Sequence, residues 1–288
     1  MLGVENVVNK LYNRQLDQEH HDILDWLTPI DYASQQHDYL TRRQPATGQW
    51  LLDSAEYQTW VPTSQQTLFC PGIPGAGKTI LTSIVIDHLS TRFQDDAGIG
   101  IAYVYFNYKQ NVDKQNVDKQ NVDNLLSRLL KQLSQKRPSL PDSVKALYDQ
   151  HHQRNKRTRP SIDELSRALQ SVAAMYSRVF IIVDALDECQ ASDGCRARFL
   201  SEIFNLQVKY GTNIFATSRF IPEITEKFNG STLLEIRARD EDVRKYLDGR
   251  ISQSESKFLK SYHEEIKAEI TKAVDGMYVP SYIDLVDY

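Results

Sequence analysis

Cysteine is scarce in this sequence: Cys70, Cys189 and Cys195 are the only three in 288 residues. An odd number at irregular spacing argues against a disulfide scaffold or a cysteine-based zinc site, and fits reduced intracellular thiols. Long apolar runs are missing as well. Nowhere do about 18 apolar residues follow one another, and the opening Met1-Leu2-Gly3-Val4-Glu5-Asn6 lacks the basic and then apolar stretch of a leader. Neither a membrane span nor secretion is expected, and the cytoplasm is the expected compartment. Positive charge is not in excess. A net charge of −4 and a pI near 6.0 give no electrostatic ground for nucleic acid or an anionic membrane as partner.

What is present is a hydrophobic content of 41%, enough to bury a core in one large α/β domain or two small ones. Residues 1–65 carry Trp26, Trp50 and Trp60 among polar residues with few β-branched runs, which reads as short helices and loops leading into the main domain. From Thr67 onward short apolar runs alternate with helical periodicity, the pattern of a mostly parallel sheet covered by helices on both faces. The expected strands are 67–70, 101–106, 179–184, 213–217 and 233–236. Expected helices include one after residue 79 with Ile80, Leu81, Ile84, Val85 and Leu89 on one stripe, and another over 125–133. A third opens on Ser161-Ile162-Asp163-Glu164, a capping box whose hydroxyl and carboxylate satisfy open N–H groups; Leu165, Leu169, Val172 and Tyr176 form its buried face. The expected division is an N-terminal segment 1–65, a core 66–252 and a helical C-terminal segment 253–288.

Two polar stretches interrupt this pattern. Residues 109–123 repeat Lys-Gln-Asn-Val-Asp three times, a surface extension lengthened by duplication and too short for a solenoid. Residues 153–160 hold four basic side chains in eight, but no aromatics are interleaved for base stacking, so a solvated loop is expected. The adjacent pairs His20-His21 and His151-His152 project apart on a helix and are not expected to chelate. Cys189 has no His nearby in sequence to activate it as a nucleophile, and a structural role is expected.

The run Gly72-Ile73-Pro74-Gly75-Ala76-Gly77-Lys78-Thr79 satisfies G-x-x-x-x-G-K-[ST], between an apolar stretch and an amphipathic helix. Such a loop cradles phosphates because backbone N–H groups converge on the anion, and glycines at 72, 75 and 77 allow the φ values and close approach this needs. Gly72, Pro74, Gly75, Ala76, Gly77, Lys78 and Thr79 are therefore expected at the nucleotide, with Lys78 on the β and γ phosphates and the Thr79 hydroxyl on Mg²⁺. Val179-Phe180-Ile181-Ile182-Val183-Asp184 is apolar on both faces, like a central parallel strand, and places Asp184 at its carboxyl end as the second Mg²⁺ group. Asp187 or Glu188 is expected to orient the attacking water. In Ala216-Thr217-Ser218-Arg219 the arginine could stabilise charge at the γ-phosphate or be a plain surface residue, and Thr217 or Ser218 could meet phosphate or water. Thr47 and Gly48 are assigned to the base. No Asn/Thr-Lys-x-Asp run supports a Ras-like reading; the 72–79 motif alone leaves a P-loop kinase open, and Asp187-Glu188 favours water as acceptor.

These motifs, with Trp26-Leu27, Asp31 and the run Ala46-Thr47-Gly48-Gln49-Trp50-Leu51, resemble the NACHT-domain NTPases of the STAND class, specifically the fungal kind grouped as nephrocystin 3-like N-terminal domains. The resemblance spans roughly residues 26–270. It implies a P-loop NTPase fold, three-layer α/β/α, with a mostly parallel five-stranded sheet in the order 5-1-4-3-2, preceded by a short helical N-terminal segment. Arg219 would be the sensor residue at the end of the strand between those of Gly72 and Asp184. It also implies a signalling switch with slow hydrolysis of ATP or GTP, Mg²⁺ as cofactor, and self-association or a separate effector or sensor protein as partner. The chain departs from the family in leaving room for only a short helix such as 4–16 ahead of the module. After Asp275-Gly276-Met277-Tyr278 it has Val279-Pro280-Ser281-Tyr282 where the resemblance implies a helix, and a winged helix or repeats are not expected. The expected function is Mg²⁺-dependent binding and slow hydrolysis of a nucleoside triphosphate. The alternative is a nucleotide-binding interaction module or truncated remnant without useful hydrolysis.

Overall fold

The computed structural model describes residues 18–106, 121–152, 158–189, 194–254 and 262–273. The expected helix at 4–16, most of the Lys-Gln-Asn-Val-Asp repeat, residues 153–157 and the segment from 275 onward lie outside the described residues.

Five strands, β1 (Thr67–Pro71), β2 (Ile99–Tyr105), β3 (Arg178–Asp184), β4 (Asn213–Ser218) and β5 (Thr232–Leu233), form one sheet in the order β2-β3-β4-β1-β5. Every pairing is parallel. Counted from the other edge this is 5-1-4-3-2. The three inner strands are buried along almost their whole length, which is why they read as continuous apolar runs rather than alternating ones. Pro71 stands opposite Ser218, and Tyr105 opposite Asp184, so the sequence motifs emerge together at the carboxyl edge of the sheet.

Two strand edges differ from expectation for local reasons. β2 starts at Ile99 because Gly100, which breaks the apolar run, is packed under Leu133 and Tyr176, where a Cβ would sit 2.9 Å and 3.1 Å from their side chains. β5 ends at Leu233, yet Leu234 and Ile236 still donate their N–H groups to Phe69 and Pro71 at 3.0 and 2.7 Å. The chain follows β1 past the end of the regular ladder.

Helices complete the layers: α1 (18–27), α2 (Ala33–Arg42), α3 (Gln49–Leu52), α4 (Ala55–Trp60), α5 (Lys78–Arg92), α6 (Val122–Gln135), α7 (Asp142–His151), α8 (Ile162–Ala173), α9 (Cys195–Tyr210), α10 (Pro222–Thr225), α11 (Asp240–Gln253) and α12 (His263–Ala273). On one face of the sheet lies α5; α6, α8 and α9 pack together on the other. The capping box at α8 forms as expected: Ser161 N–H donates to Glu164 at 2.8 Å, and Glu164 N–H to the Ser161 hydroxyl at 3.3 Å.

The N-terminal helices are not a separate layer of convenience. They cover the outer side of α5, so the expected stripe of Leu81, Ile84, Val85 and Leu89 is buried and burial extends beyond it to the polar Thr82 and Ser83. Gln36 of α2 donates to the Ser83 carbonyl at 2.9 Å. Trp60 of α4 lies 5.3 Å from the Phe180 ring and donates its indole N–H to Ile214 at 3.1 Å. Asn213 holds the following turn through the carbonyls of Trp60 and Thr63. One continuous core therefore runs from Ile23 to Ile236, while Ala238, Val243, Leu247 and Ile251 form a small second cluster joined by Ile270 of α12. Among the described residues no helix is long and apolar enough to cross a membrane.

Candidate functional site

The loop between β1 and α5 turns on glycines used in two ways. Gly75 and Gly77 have φ of 76° and 84°, a region that L side chains rarely adopt. Gly72 instead makes room, since a Cβ there would stand 2.4 Å from the Ile236 carbonyl oxygen. The loop delivers the N-terminus of α5 with Gly77 as its cap, no side-chain cap and no acidic residue in the first turn. Open N–H groups and the helix dipole at that point favour an anion. Lys78 folds over the loop, its Nζ donating to the Gly72 and Ile73 carbonyls at 2.9 Å each. Burial pushes its ammonium below the usual lysine range, opposed by Asp187 and Asp184.

Asp184 ends β3 and is almost wholly buried. Three hydroxyls point at it: Thr79 donates to Oδ2 at 2.7 Å, and Thr82 and Thr217 lie 2.8 and 2.7 Å from Oδ1. Burial pushes the Asp184 carboxyl up, and the hydrogen bonds from Thr217, Thr79 and Thr82 and the charge of Lys78 oppose it. After Asp184 the chain takes a left-handed turn at Ala185, φ 54°, and a single 3₁₀ turn carries Leu186, Asp187 and Glu188. Asp187 is nearly buried and grips Arg219: the Arg219 backbone N–H donates to Oδ1 at 3.0 Å and Nε meets Oδ2 at 2.8 Å. The arginine itself remains half exposed.

These groups face a cavity of about 530 Å³. Pro74, Gly75, Gly77, Lys78 and Thr79 form its floor, and Asp187, Glu188 and Arg219 one end. At the opposite end stand Thr47 and Gly48 with Arg43, Gln44, Leu81, Ile84 and Tyr246. A smaller neighbouring cavity of about 270 Å³ opens past Thr79 and Glu188 towards Tyr39 and Phe106. Gly72 and Ala76 do not line the larger cavity; they shape the loop from behind, with Ala76 fully buried. Asp184 likewise stands behind Thr79. Thr217 turns its hydroxyl inward to Asp184, and Ser218 has a buried hydroxyl without a hydrogen-bond partner among the described residues; neither lines the cavity.

The donor set suits a small hard cation. The Thr79 hydroxyl spends its one proton on Asp184, which leaves its oxygen lone pairs for a metal, and the carboxylate beside it adds the negative charge Mg²⁺ prefers. No cluster of three or more His, Cys, Asp or Glu able to hold a metal by itself occurs among the described residues. A cation here would complete its shell with water or with oxygens of a ligand.

Several residues of the site have no motif. The 43–48 loop is pinned by α11, which lies some two hundred positions away: the Gly48 N–H donates to Asp242 at 2.8 Å, and Lys245 to the Ala46 carbonyl at 3.2 Å. Within the loop Arg43 donates to the Thr47 carbonyl at 2.6 Å, and the Thr47 hydroxyl to Gln44 at 2.7 Å. Nothing local marks Asp242 or Tyr246. Thr82 could have been found, because it lies three residues after Thr79 and so on the same helix face. Cys189 and Cys195 are buried thiols at the two ends of the connection after Glu188, and Cys195 together with burial pushes the Cys189 thiol up, away from nucleophilic use.

A family model described as Nephrocystin 3, N-terminal, matches residues 46–219, more than half of the chain. No curated protein matches. Among solved structures the chain is similar to the Aeropyrum pernix ORC1 protein, solved in complex with DNA, at 14% identity and a TM-score of 0.46, covering 82% of this chain and 56% of that one. Domain III of the Thermotoga maritima replication initiation protein DnaA matches at 14% identity and 0.42, covering 84% and 83%. The Walker-type ATPase PABY2304 of Pyrococcus abyssi matches at 12% identity and 0.45, covering 77% and 62%. The chain thus spans little more than half the length of some of these proteins.

Proposed function

Because this chain belongs to the nephrocystin 3, N-terminal family, we propose that it binds a nucleoside triphosphate with Mg²⁺ and hydrolyses it slowly, as a switch domain of the NACHT type. The observation that carries this reading is the pairing of Thr79 with Asp184 at 2.7 Å, at the uncapped start of α5 and beside Lys78. An anion site and a cation site adjoin there, which is what a Mg²⁺-triphosphate requires.

In this reading the N–H groups of residues 75–79 and the Lys78 ammonium hold the β and γ phosphates, so Lys78 exchanges its two loop carbonyls for phosphate oxygens. Thr79 and Asp184 hold the cation, which when bound supplies charge neutralisation at the phosphates. Of the two acids that follow, Glu188 is the better candidate to orient water. Both oxygens of Asp187 are engaged by Arg219, whereas Glu188 lines both cavities at the phosphate end. Asp187 then holds Arg219 towards the γ-phosphate, where the guanidinium can meet developing charge. Thr47 and Gly48 face the base, ATP or GTP. The division into a core of 66–252 flanked by 1–65 and 253–288, the cytoplasmic location, and self-association or an effector or sensor partner belong to the same proposal. Nucleic acid and membrane do not, in keeping with the net charge of −4.

Calorimetric titration of the full chain with ATP and GTP, with and without Mg²⁺, tests the reading, and phosphate release follows turnover. Saturable binding strengthened by Mg²⁺ and abolished by Lys78→Ala is expected. Binding unchanged in Lys78→Ala would sink it, and binding without any phosphate release would leave an interaction module in its place.

A further inference from the structure

Asp184 is held by more groups than a cation ligand needs, and two of them touch nothing in the cavity. Thr82 and Thr217 are fully buried, one on α5 and one on β4. Each hydroxyl has a single proton to give. Thr217 uses a lone pair for the Ala185 N–H at 2.9 Å, which leaves its proton for Asp184 Oδ1 at 2.7 Å. Thr82 stands 2.8 Å from Oδ1 and 3.0 Å from the Lys78 carbonyl, so its one proton is shared between two acceptors. With Oδ1 occupied from two sides the carboxylate cannot rotate, and Oδ2 is the oxygen turned to Thr79. The same Thr217 hydroxyl fastens the left-handed turn at Ala185 that carries Asp187 and Glu188.

We propose that Thr217, and to a lesser degree Thr82, are positioning residues of the cation site: by saturating Asp184 Oδ1 they aim Oδ2 and Thr79 at the metal, and Thr217 ties that carboxylate to the turn bearing the water-orienting acid. The inference rests on the Mg²⁺-nucleotide reading above. β4 thereby contributes to the site through a buried hydroxyl as well as through Arg219 at its end.

The test compares Thr217→Val, which keeps shape and loses the hydroxyl, with Thr217→Ser, which keeps the hydroxyl, and adds Thr82→Val. Nucleotide affinity of the full chain is measured by calorimetry in EDTA and in Mg²⁺, the electron paramagnetic resonance spectrum of Mn²⁺ is recorded in the nucleotide complex, and kcat and KM are separated. In Thr217→Val the metal-free affinity is expected to stay within about twofold of the parent while the gain from Mg²⁺ shrinks about tenfold, the scale of one hydrogen bond to a charged group. The Mn²⁺ spectrum changes and kcat falls more than KM rises. Thr217→Ser restores all three, and Thr82→Val shows the smaller effect because its proton is shared. A full Mg²⁺ gain in both valine variants overturns the inference, as does a serine variant that behaves like valine, or metal-free affinity falling as much as the Mg²⁺ gain. If Thr217→Val no longer unfolds cooperatively, Thr82→Val decides on the same readouts. A parent protein that binds no nucleotide would overturn the parent reading instead, and that outcome is distinct from a parent with a Mg²⁺ gain that both valine variants share.

Discussion

The two ends of the cavity are built on different principles. The end proposed for the phosphates comes from contiguous runs, 72–79 and 184–188, each at the carboxyl end of a strand; a loop able to wrap an anion needs consecutive backbone N–H groups and particular φ values, as 72–79 has. The opposite end is assembled by packing. Gly48 meets Asp242 across 194 positions, and Tyr246 reaches the cavity from α11. Backbone chemistry leaves a pattern in a sequence; a wall made of side chains from remote helices does not.

The largest expected effect lies at the first end. Lys78→Ala should weaken nucleotide binding by about a hundredfold or more, since contacts of a charged donor with phosphate are lost and none replaces them; calorimetry reads it directly. Next, Glu188→Gln should leave affinity near that of the parent and lower turnover by about a hundredfold, the scale of a positioned general base. Asp187→Asn should slow turnover less, by loosening Arg219. Equal losses in the two variants would mean that the acids act as one group.

At the other end, Asp242→Ala should lower affinity about tenfold by leaving the Gly48 N–H without its acceptor, with kcat at saturation little changed. Loss of turnover without loss of affinity would break the comparison, because it would tie α11 to the chemistry rather than to the base. The smallest effect serves as a control remote from both ends. Ser161→Ala removes the α8 cap at a cost of about 1 kcal/mol and should not alter binding. Its pH dependence is informative. Hydrogen bonds from the Ser161 backbone and hydroxyl hold the Glu164 carboxyl at about 2, against an ordinary 4.5. The cap's contribution is therefore complete above the ordinary value and is lost as pH falls through the folded one. Thermal unfolding across that window should show a slope in the parent that is reduced but not lost in Ser161→Ala, because the backbone N–H of residue 161 still donates to the Glu164 carboxylate.

Much of the fold was legible for the same reason as the phosphate end. The inner strands are apolar on both faces, and the α8 cap is a local signature. Strand edges were less so: Gly100 hid the start of β2 because its packing under Tyr176 leaves no apolar side chain to read. The stripe on α5 is buried as expected, yet it accounts for only part of what that helix buries. Covered by the N-terminal helices as well as the sheet, α5 buries Thr82 and Ser83, and the role of Thr82 at Asp184 is invisible to a reading that assigns polar residues to solvent. Of the candidate site residues, the structure brings those of the glycine loop and the acidic run to one edge of the sheet, while Asp242, Tyr246 and the inward turn of Thr217 needed the tertiary structure.

The proposed Mg²⁺-triphosphate site at the start of α5 is tested most directly by thermal unfolding of the full chain with Mg²⁺-ATP or Mg²⁺-GTP. Ligand at about a hundred times its Kd adds about 2.7 kcal/mol, a rise of several degrees for a chain of this size. The expected result is a rise with at least one nucleotide that Lys78→Ala abolishes. A cooperative transition unmoved by either nucleotide would contradict it.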